Sequence, residues 1–173
     1  MKNLGLENVE EARDFEALPA EGYICRITSV EDVVNKEYLR IEYDIAEGDF
    51  KDYYSQLYKN RGFWGGSMIR SYKEKALPFF KSFITAVEKS NPGFHFDSDE
   101  KKLIGKLLGL VLAEEEYLSN SGEVKTRLYA DKPRSVEAIR TGDYKVPLKK
   151  LLEQPPADTA PVSNDFATGD VPF

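Results

Sequence analysis

Between Tyr38 and Ile45 the chain reads YLRIEYDI. Leu39, Ile41, Tyr43 and Ile45 fall on one side, and Tyr38, Arg40, Glu42 and Asp44 on the other. A period of two with one apolar face is the pattern of a half-buried strand. A strand cannot stand alone in water, so this stretch predicts a sheet. Residues 22–34, rich in β-branched side chains, precede it across a turn at Asn35 and Lys36. Residues 53–58 read as a third strand, with Tyr54, Gln56 and Tyr58 on one side. Short turns between the three predict an antiparallel meander.

The second half has a different rhythm. Residues 60–67 (NRGFWGGS) form a loop by composition, with Phe63 and Trp64 set among Gly62, Gly65 and Gly66. A helix is expected over about 71–89, with Leu77, Phe80, Ile84 and Val87 on its buried face and Pro78 in its first turn. Asn91, Pro92 and Gly93 end it. Residues 106–117 read as a strand bent at glycine, 119–122 (SNSG) as a hairpin turn, and 124–130 as the returning strand. Three strands, a helix and two strands is the order of an OB-fold: mainly β, a five-stranded antiparallel barrel with one helix between strands three and four. The domain is expected over 22–150. An acidic leader, 1–21, precedes it. The Pro, Ala, Asp, Thr and Ser-rich stretch 151–173 predicts a disordered acidic tail.

Charge is unevenly spread. The chain of 173 residues carries −6, yet residues 50–81 hold seven cations against two acids, with nine aromatic rings between them. Residues 123–150 hold eight cations against four acids, a second basic patch. Rings interleaved with cations suit a single nucleic-acid strand, since bases stack on the rings and Lys and Arg follow the phosphates. The stacking candidates are Tyr54, Tyr58, Phe63 and Trp64. The phosphate candidates are Lys59, Arg61, Arg70, Lys73, Lys125 and Arg127. The competing reading of each aromatic is a core residue.

One cysteine, Cys25, and one histidine, His95, give no internal disulfide and no Cys/His zinc site within the chain. No cofactor, metal or catalytic residue is expected. No apolar run approaches the roughly 20 residues of a membrane span. The first 22 residues hold no apolar core of signal type, so the expected setting is cytoplasmic. A homo-oligomer remains open.

The last residues are Asp170-Val171-Pro172-Phe173. They resemble the acidic tip of the bacterial single-stranded DNA-binding proteins, which ends Asp-x-Pro-Phe. That resemblance implies that Asp170, Pro172 and Phe173 bind replication and recombination proteins, by capture of a carboxylate and one apolar anchor. The family's tip is a run of several acids; only Asp165 and Asp170 lie nearby here. The body resembles a second group, the phage- and prophage-encoded proteins thought to bind single-stranded DNA. The likeness lies in Ala76-Leu77-Pro78-Phe79-Phe80, in Gly105-Lys106, in Glu115-Glu116-Tyr117 and in Gly122-Glu123-Val124. It implies a non-covalent role in phage DNA replication or recombination.

Two other classes compete. Glu114, Glu115 and Glu116 on one strand, with Glu123 and Lys125 on the next, suggest a Mg²⁺-dependent nuclease of recombination. A pure adaptor for recombination proteins would need the tail and no DNA contact. No glycine-rich phosphate loop of Walker type is present.

Overall fold

The computed structural model describes residues 1–9 and 16–153. The tail tip, with Asp170, Pro172 and Phe173, and the middle of the leader lie outside the described residues.

Five strands build one antiparallel sheet: β1 (Gly22–Val33), β2 (Tyr38–Ile45), β3 (Ser67–Ser71), β4 (Leu107–Leu118) and β5 (Val124–Arg134). Among the described residues two α-helices join them, α1 (Tyr53–Arg61) between β2 and β3 and α2 (Leu77–Ser90) between β3 and β4, and a third, α3 (Val136–Thr141), follows β5. The sheet order is β3-β2-β1-β4-β5. The fold is therefore mainly β, with β1 in the middle. The expected closed barrel is not formed by hydrogen bonds: β3 and β5 are the two edges and the sheet is open between them. Among the described residues no helix is long and apolar enough to cross a membrane.

The alternating stretch does what its period demands. Leu39, Ile41, Tyr43 and Ile45 are all buried, and Ile41 sits opposite Val30 on β1 and Met68 on β3. Cys25, opposite Ile45, is buried too. Burial, and then the nearby Asp44 carboxylate, push its thiol well above the ordinary range, so it is no reactive group. α2 covers the core with Phe83, Ile84, Ala86 and Val87. Of the expected stripe, Ile84 and Val87 are buried and Phe80 packs against the core, but Leu77 is 47% exposed. Phe83, absent from the expected stripe, is fully buried on that face.

The first half of β4 is buried on both faces, from Leu108 to Ala113. Its outer side is covered by α3, which lies against Gly109. A Cβ there would stand 2.4 Å from Ile139 Cγ1 and 2.9 Å from the Ser135 carbonyl oxygen. Gly109→Ala is expected to push α3 outward and cost about 1–3 kcal/mol as an overpacked contact. A urea titration checks this: the midpoint falls at unchanged slope.

The third strand is the main correction. Residues 53–58 are not a strand; they form most of α1. The reason is a cap supplied from elsewhere in the chain. The buried carboxylate of Asp44, on β2, accepts the Ile45 and Tyr54 N–H groups at 2.9 and 2.8 Å through Oδ1. Its Oδ2 accepts the Ser55 N–H at 3.0 Å and the Ser55 hydroxyl. These bonds satisfy donors that a helix start leaves open. Gly62, left-handed at φ 79°, closes the other end, its N–H donating to the Tyr58 carbonyl at 2.8 Å. The strand that pairs with β2 is β3 instead, in the register Leu39 opposite Arg70 and Ile41 opposite Met68.

Candidate nucleic-acid interface

α1 ends on Lys59 and Arg61. Cations are favoured there, because the carbonyls of a helix C-terminus carry partial negative charge. Tyr58 beside them is 55% exposed. After Gly62 the chain folds back on the sheet. Gly66 fits under Tyr43 and Tyr54; a Cβ would stand 2.4 Å from the Tyr43 carbonyl oxygen. That close approach sets the two aromatics of the loop. Trp64 is half-buried, its indole N–H donating to the Gly66 carbonyl at 3.0 Å, and its ring centre lies 6.3 Å from that of Tyr58. Phe63 points outward and is 55% exposed.

Tyr54 takes a different role from the one expected of it. It is buried, packed edge-on against Tyr43 and Tyr53 at 5.7 and 5.3 Å between ring centres. Burial pushes its phenol well above the ordinary range. Such a ring has no open face for a base; Tyr54 is a core residue.

Between the edge strands β3 and β5 lies a cleft of about 1040 Å³. Phe63 and Arg70 line it on the β3 side, and Arg127 and Tyr129 on the β5 side. Arg70 points inward, in register with Leu39, and its Nε and Nη2 are buried without a hydrogen-bond partner. Burial lowers its pKa, while Tyr43 and Asp131 oppose that shift. Asp131 belongs to β5, so the cation on one edge senses a carboxylate on the other. Glu114 and Glu115 also line the cleft. Arg127 Nε–H donates to Glu115 Oε2 at 2.8 Å, and its guanidinium lies 4.7 Å from the centre of the Tyr117 ring.

Tyr117, Tyr129 and Lys150 escaped the sequence reading. Lys150 Nζ stands 4.3 Å from the centre of the Tyr129 ring. It reaches there because the chain returns after α3 and adds to the far end of β4: Lys150 N–H donates to the Glu114 carbonyl at 3.0 Å, and Glu116 N–H to the Lys150 carbonyl at 2.8 Å. Rings and cations thus alternate along the outer face of the β4–β5 hairpin. Tyr117 could have been found by counting back from the turn, since it stands opposite Lys125. Lys150 carried no local signal.

The structure brings Tyr54, Phe63, Arg70 and Arg127 to one cleft. Tyr58, Lys59, Arg61 and Trp64 form a patch on α1 and its loop, joined to the cleft through Phe63. Lys73 follows β3 and Lys125 lies near the β4–β5 turn; neither lines the cleft. Among the described residues Lys59, Arg61, Arg70, Lys73 and Lys125 form no ion pair.

The carboxylates of the nuclease alternative are dispersed. Glu115 pairs with Arg127, Glu116 Oε1 accepts the Leu152 N–H at 3.1 Å, and Glu123 sits at the turn. Among the described residues no group of three or more His, Cys, Asp or Glu could hold a metal ion. No protein family matches this chain, and no curated protein is similar enough to count as a relative.

Proposed function

We propose that this chain binds single-stranded DNA non-covalently, in the cleft between β3 and β5 and over the adjoining α1 patch. The observation that carries the reading is the meeting of Phe63, Arg70, Arg127 and Tyr129 between two edge strands. A ring with an open face beside a cation is the minimal unit for holding an unpaired nucleotide. The strand order, with α2 between β3 and β4, supports reading the sheet as an OB-fold left open at one seam, a fold that is a partly open five-stranded barrel. Phe63 and Tyr58 stack bases; Lys59, Arg61, Arg70 and Arg127 face the phosphates. The same proposal gives the tail, through Asp170, Pro172 and Phe173, the recruitment of replication or recombination proteins, in a phage setting, on the resemblances above.

Trp64, the one tryptophan, reports the test. Titration with oligo-dT is expected to change its fluorescence to saturation, to weaken with salt and to resist duplex competitor. Phe63→Ala is expected to weaken binding about tenfold, the loss of one stacked base. Wild-type affinity in that variant, measured by a mobility shift, would remove the cleft from the site.

A further inference from the structure

Part of the second basic patch, Lys132, Arg134 and Lys145, joins Lys89 of α2 around a second cleft, of about 880 Å³, between α2, the end of β5 and the segment after α3. Lys89, Lys132, Arg134 and Lys145 line it, with Asp131 and Asp143 as its acids. Lys89, Lys132 and Lys145 are exposed and form no ion pair or hydrogen bond among the described residues. Arg134 is half-buried and donates only to the Pro133 carbonyl, at 3.2 Å. Four cations against two carboxylates leave the concavity with an excess of positive charge, a field that a phosphate backbone would relieve.

Two contacts fix the wall formed by α3. Val136 N–H donates to Ser90 Oγ at 3.0 Å, which ties α3 to the end of α2. Gly109 lets α3 sit close on β4. Gly142, left-handed at φ 74°, turns the chain back so that Lys145 faces the cleft from the far side. Lys89 and Lys132 are carried on α2 and β5, which lowers the ordering cost of binding for their backbone.

The two clefts share no lining residue, but consecutive stretches of one strand line them. Residues 126–130 of β5 line the first, and residues 131–135 line the second. At about 3.3 Å per residue this stretch spans about 30 Å. A single strand at about 3.4 Å per stacked nucleotide covers that length with about nine nucleotides. That falls within the roughly 4–16 nucleotides of one such domain.

We infer that the second cleft is a phosphodiester-binding extension of the first, and that one DNA strand runs along β5 through both. The inference rests on the proposed DNA-binding function. Stacking belongs to the first cleft, at Phe63; the second supplies charge, and Tyr144 in its lining is half-buried with its hydroxyl donating to Glu21 Oε1 at 2.6 Å.

The test compares the full chain with a Lys89→Gln, Lys132→Gln, Lys145→Gln variant on oligo-dT of about 6 and about 20 nucleotides. On the longer oligonucleotide the plot of log affinity against log salt is expected to flatten by about 2, at roughly 0.7 for each phosphate no longer neutralised. On the shorter one, held by the first cleft, affinity stays at the wild-type value. The matching Lys→Arg variant keeps the wild-type slope. Should the triple variant fold poorly, each single Lys→Gln exchange carries the test, with an expected flattening of about 0.7. A wild-type slope on the long oligonucleotide overturns the second cleft and leaves the first intact. An equal loss on both lengths overturns the shared path. If the wild-type chain itself binds neither oligonucleotide at low salt, the DNA-binding function falls and this inference falls with it.

Discussion

Asp44→Ala is expected to lower the unfolding free energy by about 3–5 kcal/mol, the largest loss from any single polar side chain here. One carboxylate serves four donors at the junction of β2 and α1. Its removal leaves the buried Ile45 and Tyr54 N–H groups without their acceptor. Each such donor costs about 1–3 kcal/mol, and the lost helix cap adds to that. Small domains have only about 5–15 kcal/mol in total, so the variant stands near the edge of folding. Asp44→Asn separates geometry from charge. It keeps one acceptor but turns an amide toward N–H donors, and is expected to lose nearly as much. Urea unfolding followed by circular dichroism measures both. A change under about 1 kcal/mol in Asp44→Ala would show that α1 is held by packing alone. Since α1 carries Tyr58, Lys59 and Arg61, the proposed DNA binding predicts that affinity falls along with stability.

Arg70→Met is expected to move two properties in opposite directions. Stability rises by about 1–3 kcal/mol, because a buried guanidinium with two unpartnered nitrogens is replaced by an apolar chain of similar length. Met68, Leu39 and Tyr43 already form an apolar bed for it. Affinity for oligo-dT falls by about 30–100-fold, since the cleft loses its deepest cation. Thermal unfolding and a mobility shift together decide the matter. If both quantities fall, Arg70 is a structural residue that supports the seam. If stability rises and affinity stays, the strand does not enter the cleft between β3 and β5. A buried cation kept at a cost in stability fits a site built for an anion better than one built for rigidity.

Where the sequence carried periodicity, the structure was legible in it. β2 spans the predicted residues, and β1, β4 and the β4–β5 turn lie within a residue or two of their expected places. These segments state their own environment, because a strand with one wet face alternates. α1 was hidden for a physical reason: its cap comes from Asp44, ten positions before Tyr54 and on another element, so no local motif announces it. β3 was hidden because five residues, SMIRS, are too few to show a period. Misplacing β3 also moved the aromatics. Tyr54 looked like a surface ring on a strand and proved to be a buried ring on a helix. Phe63 and Trp64 were visible as anomalies, since large rings among glycines have to meet something. Arg70 and Arg127 were visible only as cations in basic stretches; that they share a cleft is a property of the sheet order.

The central position of β1 has a consequence for how the chain is made. β2 reaches β1 across a short turn, but β4 must come from far away; the bond from Arg26 to the Gly105 carbonyl spans 79 positions. Hairpins close quickly and distant pairs slowly, so the two β-hairpins form first as separate halves and dock late. During synthesis the meander of β1, β2 and β3 therefore leaves the ribosome with one flank of β1 bare, until Leu107–Leu118 has followed it out. That flank, with its unpaired backbone groups from Gly22 to Arg26, is a template on which a second nascent copy can add a strand.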